Sequence, residues 1–271
     1  MFLQRGGAMG QGTGIAAIAA IGIALVAGSG SAETIIGSDY ASNYGGAWTN
    51  SSNLGSGFGA WNLYASGGAT AGTFQGDSVV DGFGDVNGAS PATIAFGMFG
   101  QTGYQNAERS LSSPLAVGNT FRVDLATAYR SGAKGISLFR NGAFGGGDQF
   151  WNLNVGGDQY TAGGVNQGWA YSQTSVFNLE VTQTSSSSID ISLTRNTDSY
   201  STTISGISQM TGFRLYVGDT TTGGGATLNN LYFNNMVVAV PEPAMAPLVI
   251  FGLLVPAVVS YRKMRLGPRA D

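Results

Sequence analysis

An antiparallel β-sandwich or jelly roll is the fold this sequence predicts, and three observations predict it. Apolar and polar residues alternate at period two through much of the second half. The alternating runs are short and separated by turns rich in Gly, Ser, Asn and Asp, in keeping with 44 glycines in 271 residues. Between residues 33 and 240 no stretch shows a helical period. Many short strands between turns are the signature of a two-layer all-β domain. The competing architecture, a β-helix or repeat-built solenoid, needs a fixed repeat. The nearest approach to one is "GGDQFW" at Gly146 and "GGDQYT" at Gly156. Two Gly-Gly-Asp turns, ending in Asp148 and Asp158 and flanking one strand, account for that spacing.

Taken in chain order, the segment from Glu33 to about Ala89 is the least regular and reads as long loops with two or three strands. It carries Trp48 and Trp61. With Trp151 these are the candidate sugar-stacking residues, because flat aromatic faces suit the apolar faces of sugar rings. Further on, "FRVDLA" sets Phe121, Val123 and Leu125 on one face and Arg122 and Asp124 on the other. "FNLEVT" repeats the pattern with Phe177, Leu179 and Val181 inside, and "IDISLT" does so with Ile189, Ile191 and Leu193. The polar "QTSSSS" between those two runs is a hairpin connection. Ile136 to Arg140, Phe150 to Val155, Phe213 to Val217 and "LNNLYFNNMVV" from Leu228 are the remaining expected strands.

Composition removes whole classes of chemistry. The chain has no Cys and no His. It therefore has no disulfide framework, no thiolate nucleophile, no Cys-based metal site and none of the usual imidazole bases. From Glu33 to Val240 there are ten Asp and three Glu against one Lys and six Arg, a net charge of −6. That balance argues against nucleic acid as a partner, since phosphate binding is driven by clustered cations. Carboxylate chemistry and hard-cation binding remain.

The two ends differ from the body. Arg5, an apolar stretch from Ile15 to Ala27 and the small residues Gly30, Ser31 and Ala32 are ordered as in a secretory signal over residues 1–32, with cleavage expected after Ala32. Near the C-terminus, Ala244 to Tyr261 is an apolar run of 18 residues. At ~1.5 Å per residue it reaches roughly 27 Å, enough to span a thin bilayer as a helix. Arg262, Lys263 and Arg265 follow at once as a membrane stop that keeps the tail, residues 262–271, cytoplasmic and the body outside.

Val240, Pro241, Glu242 and Pro243, the apolar span and the basic tail together resemble the PEP-CTERM sorting signal over residues 240–271. The resemblance implies an exosortase as partner, reading the Pro-Glu-Pro motif while the chain is transiently anchored in the inner membrane. It implies delivery to the cell surface or an exopolysaccharide matrix. The body, residues 33–239, is similar to the lectin-like, concanavalin-type extracellular regions of such proteins. The segments that carry this likeness are "NAERSLSSPLAVGNTFRVDLATAYRSGAKGISLFRNG" from Asn106 and the closing "LNNLYFNNMVV".

Two constellations bear on ligand chemistry. Asp77, Asp81, Asp85 and Asn87 offer oxygen ligands suited to calcium, although the spacing is not that of an EF-hand loop and an Asp/Gly turn explains the same residues. A glycosidase needs two carboxylates facing one groove. The body's glutamates are only Glu33, Glu108 and Glu180; Glu108 with Arg109 reads as a solvated surface pair. The expectation is a non-catalytic, exported, surface or exopolysaccharide-associated protein, with a carbohydrate-binding module, calcium-assisted or not, as the alternative.

Overall fold

The computed structural model of the protein describes residues 33–66, 70–88, 93–157, 159–220 and 228–241. The expected signal segment, Asp158, Glu242, Pro243, the apolar span 244–261 and the membrane stop at Arg262, Lys263 and Arg265 lie outside the described residues. Among those described, no helix is long and apolar enough to cross a membrane.

The chain adopts the expected all-β antiparallel fold. Its strands are β1 (Glu33–Asp39), β2 (Asn62–Ser66), β3 (Ala71–Gly76), β4 (Ala95–Gly100), β5 (Tyr104–Ser110), β6 (Thr120–Ala126), β7 (Ala133–Arg140), β8 (Gln149–Asn154), β9 (Thr161–Ala162), β10 (Val165–Asn166), β11 (Val176–Ser185), β12 (Ser188–Arg195), β13 (Asp198–Ser205), β14 (Met210–Gly218) and β15 (Leu231–Pro241). One 3₁₀ turn, Ala41–Tyr44, follows β1. The larger sheet runs β13-β12-β11-β6-β15-β4-β3, and β1 pairs with the second half of β15. The smaller sheet runs β10-β9-β8-β7-β14-β5-β2.

Period-two alternation turns one face of each strand inward, and the two inward faces meet. Phe121 of β6 stacks on Phe213 of β14 across the layers, with ring centroids 5.0 Å apart. Leu125, Leu179, Ile191 and Phe233 from the larger sheet, and Ile136, Leu153 and Leu215 from the smaller, complete the same buried cluster. The long strand β15 keeps Phe233 and Met236 both buried because a bulge intervenes. Asn235 takes a left-handed conformation (φ 56°), and its amide donates to Asp124.

Strands that the alternation does not announce are those with polar residues inside. On β5, Glu108 and Arg109 are both buried, so the pair is not the solvated one expected from sequence. Successive residues of a strand face opposite ways. Arg109 enters the core, where it pairs with Asp39, donates to the Gly59 carbonyl (2.8 Å) and Asn53 Oδ1 (2.7 Å), and lies over the rings of Phe58 and Trp61. Asp39 also accepts from Tyr44 Oη (2.9 Å). The backbone at Gly55 runs against Asp39, where a Cβ would lie 2.5 Å from the carboxyl carbon; only glycine fits. Glu108 faces outward into a satisfied cluster, accepting from Tyr64, Asn62 and Arg214.

Candidate functional site

Three of the four tryptophans are core residues. Trp48, Trp61 and Trp151 are 4%, 1% and 3% exposed, so none presents a ring face to solvent. Trp48 and Trp61 pack edge-on at 5.4 Å and both contact Phe96 and Phe233. Trp151 lies against Tyr200 between the sheets. The stacking platform expected of these residues is therefore not formed: a sandwich this rich in glycine fills its interior with its largest side chains.

Exposed aromatic surface gathers instead at one pole of the sandwich. Ala126, the last residue of β6, pairs with Val176, the first of β11, so the segment after β6 (127–132) and the segment before β11 (167–175) emerge side by side. They carry Tyr129, Arg130, Trp169 and Tyr171. Tyr129 and Tyr171 are 37% and 43% exposed and meet edge-on at 6.3 Å. The Arg130 guanidinium lies 5.2 Å from the Tyr171 ring and 5.3 Å from that of Tyr160. Below it, Tyr160 is buried and meets a second guanidinium, Arg195, at 4.8 Å; Arg195 in turn lies 5.3 Å from Trp169. Arg195 is neutralised by Asp198 and donates to the Ala170 carbonyl at 2.7 Å, which fixes the segment bearing Trp169 and Tyr171.

The other segment is held from beneath. Lys134 on β7 is fully buried and donates to the Tyr129 carbonyl and, at 3.4 Å, to Thr127 Oγ1. Burial pushes its amine down to about 7, since a cation deep in the fold loses hydration without gaining a carboxylate. The Tyr171 hydroxyl donates to the Ala128 carbonyl, tying one segment to the other. Burial raises the Tyr171 phenol above its ordinary value, with Arg130 opposing. The rings thus sit on segments braced by side chains, an arrangement that limits the ordering cost of binding.

The Asp-rich segment 77–88 flanks this pole and is a structured turn. Asp77 Oδ1 accepts from the amides of Val79 (2.9 Å) and Val80 (3.2 Å) and from Asn87 Nδ2 (2.8 Å). The Asn87 bond, first, and the backbone bonds hold the Asp77 carboxyl below the usual range. Asp81 accepts from the Tyr232 hydroxyl, Asp85 from the Asn87 amide, and Asn87 Oδ1 from Ser78. Phe83 and Val86 pack on Tyr232 and Ala126, covering part of the larger sheet's outer face. At Gly84 a Cβ would lie 2.7 Å from the Thr174 carbonyl oxygen, so this turn closes tightly on the segment before β11. Among the described residues no group of three or more carboxylates is placed to hold a metal ion. Of the two readings the sequence allows for Asp77, Asp81, Asp85 and Asn87, the Asp/Gly turn is the one these hydrogen bonds describe, their oxygens serving as turn and cap acceptors.

A concavity lies on the open part of the larger sheet's outer face. Glu180, Thr182, Asp190, Ser192, Ser201 and Thr203 line a shallow groove of about 370 Å³. Glu180 pairs with Arg122 (2.7 Å), which also holds Glu33, and Asp190 accepts from Thr203 (2.7 Å). No aromatic residue lines it. Of the sorting motif, Val240 and Pro241 are the last residues of β15, where they pair with Thr34 and Glu33, so the folded sandwich extends two residues beyond the expected body. Asp148 accepts from Asn141 in the turn before β8, as its Gly-Gly context suggests.

Sequence reasoning passed over Tyr129, Arg130, Trp169 and Tyr171. They stand in "AYR" and "WAY", aromatic clusters in segments without alternation beside Ser131-Gly132 and Gly168, but the buried Trp48 and Trp61 come from an equally irregular segment, so the sequence alone did not separate the two sets.

No protein-family model matches the chain, and no curated protein matches it. Solved structures with some likeness include the family 11 carbohydrate-binding module of Clostridium thermocellum in complex with a β-1,3-1,4-mixed-linked tetrasaccharide. It is 12% identical over 76% of this chain and 97% of that one, at a TM-score of 0.36. The exoplasmic/lumenal domain of VIP36 is 8% identical over 66% of this chain and 81% of that one, also at 0.36. The enzymatically active domain of tailspike protein 4 from bacteriophage CBA120 is 10% identical over 66% of this chain, at 0.35; this chain spans 19% of its length. None of these scores establishes a common topology.

Proposed function

We propose that the protein is an exported, non-catalytic polysaccharide-binding domain, and that it meets its ligand at the pole formed by Tyr129, Trp169 and Tyr171. One observation carries this reading. Two of the exposed aromatic rings, Tyr129 and Tyr171, touch each other on braced segments around a guanidinium, whereas Trp48, Trp61 and Trp151 are enclosed. Exposed aromatic faces on a rigid base are what stacking on a sugar ring requires. Against catalysis stands the state of Glu108, whose two oxygens are both taken by Tyr64, Asn62 and Arg214. Glu180 and Glu33 both pair with Arg122, and the Arg122 bond holds the Glu33 carboxyl below its ordinary value, away from the protonated acid a glycosidase needs.

Export and processing belong to the same proposal. The order of signal-like segment, body, Pro-Glu-Pro, apolar run and basic tail supports an exosortase substrate released at the cell surface or into an exopolysaccharide matrix. Intact-mass spectrometry of envelope and medium, comparing wild type with Glu242→Ala, tests that part. A mature form beginning near Glu33 and ending near Pro241 to Pro243, lost in the variant, is the expected result; a wild-type mass retaining residues 244–271 would overturn it.

The binding part is tested by affinity electrophoresis of the full chain through gels containing soluble polysaccharides. Retardation abolished by the double variant Tyr129→Ala, Tyr171→Ala, in protein that unfolds at the wild-type temperature, is expected. Equal retardation of the double variant would place binding elsewhere.

A further inference from the structure

The pole carries a cation that nothing in the described fold neutralises. Of the described arginines, Arg109, Arg122, Arg195 and Arg214 pair with Asp39, Glu33 and Glu180, Asp198, and Glu108 respectively. Arg140 and Arg130 have no carboxylate partner among the described residues. Arg140 donates to the Gly147 carbonyl and stacks on no described ring. Among the described residues Arg130 contacts two rings, those of Tyr160 and Tyr171.

We infer that the pole selects acidic polysaccharide, with the Arg130 guanidinium pairing to the carboxylate of a uronic acid unit while Tyr129 and Tyr171 take the sugar faces. The inference rests on the reading of the pole as a glycan site and names the class of glycan.

Three features argue for it. Stacking fixes the guanidinium plane without using its N–H groups, so the planar fork is free for a planar carboxylate, which it matches with two parallel hydrogen bonds. A half-buried position beside two rings weakens screening of the guanidinium's field. The body's net charge of −6 opposes diffuse attraction to a polyanion, so selection is confined to one local, directional contact at Arg130. A neutral polymer offers those N–H groups only hydroxyl and ring oxygens, weaker acceptors than the carboxylate of a uronic acid.

The experiment compares retardation of the full chain in gels containing polygalacturonate, the same polymer fully methyl-esterified, or a neutral β-glucan. Esterification leaves the backbone in place and removes the charge. Wild type should bind polygalacturonate at least about tenfold more tightly than either uncharged polymer. Arg130→Gln should lose that preference, falling to the level of the esterified polymer, and Arg130→Lys should recover only part of it because an ammonium lacks the fork. Both variants should keep the wild-type thermal midpoint, as the guanidinium supports no described hydrogen bond. Equal retention on free and esterified polymer, or a wild-type preference intact in Arg130→Gln, overturns the acidic-ligand inference. In that case loss of binding in the Tyr129→Ala, Tyr171→Ala protein still upholds the glycan site, whereas no retention on any polymer overturns both.

Discussion

The buried Lys134 ammonium donates to the main-chain carbonyl of Tyr129, so an interior strand of one sheet holds the segment that presents the exposed ring. Burial is complete and no carboxylate is among the groups it bonds, which sets up a pH response. The folded amine titrates at about 7 against 10.5 for an ordinary lysine. Between those values the unfolded chain holds a proton that the folded chain does not. Stability therefore rises with pH across that window, with a slope approaching ~1.4 kcal/mol per unit. Urea midpoints measured from pH 6.5 to 9.5 should climb in wild type and lose this climb in Lys134→Met. Parallel profiles would show that the amine does not titrate there. Above pH 10 the trend reverses, because the phenols of Tyr171, Tyr216 and Tyr232 are held above their ordinary value in the folded state.

Two ion pairs on β1 should differ greatly in consequence. Asp39 and Arg109 are both fully buried, and removing one leaves an uncompensated charge or donor set in the core. Asp39→Ala is expected to cost ~3–5 kcal/mol in urea unfolding. Arg122 and Glu33 are each about a third exposed, and Arg122→Ala should cost no more than ~1 kcal/mol. The Arg122 bond holds the Glu33 carboxyl below its ordinary 4.5. What this pair contributes is present above that value and fades as pH falls through the lowered one. A large loss in Arg122→Ala at neutral pH would contradict this ranking.

Aromatic residues should separate into structural and surface sets. Trp61→Ala removes a wholly buried indole that touches Phe96, Phe213 and Phe233, and is expected to cost ~3–5 kcal/mol. Tyr171→Ala should cost ~1 kcal/mol or less. In wild type, acrylamide should quench the fluorescence of Trp169 first, so Trp169→Phe should abolish most of the accessible fraction. A strongly quenched Trp169→Phe protein would mean that one of the core tryptophans is reached by solvent.

Chelation should leave the protein unchanged. The oxygens of Asp77, Asp81, Asp85 and Asn87 are engaged within their own turn and with Tyr232. Thermal midpoints with excess calcium and with chelator should coincide, while Asp81→Ala should lower the midpoint modestly by freeing the Tyr232 hydroxyl. A calcium-dependent rise of several degrees would restore a metal role to the segment.

Strands that bury one apolar face could be read directly from the sequence. The runs at Phe121, Phe177 and Ile189 became β6, β11 and β12 because two-residue alternation and a one-sided core impose the same period. Strand β5 escaped notice because it turns Arg109 inward and Glu108 outward, and both charges find partners distant in the chain. Strands β1, β3 and β4 were hidden because they show no clear alternation of their own: β1 and β4 are placed by pairing with β15, and β3 by pairing with β4.

The sequence by itself determined the class of the protein: an all-β body without Cys or His chemistry, carrying net negative charge, between two ends unlike it. Those properties are local, set by composition and by the strand period. Which aromatic residues face solvent was decided only by the tertiary structure. Trp61 and Tyr171 both sit among glycines and small polar residues in the sequence, and nothing local separates them. Burial follows from what the other sheet brings opposite: for Trp61 that is Phe96 and Phe233, and for Tyr171 a guanidinium and open water.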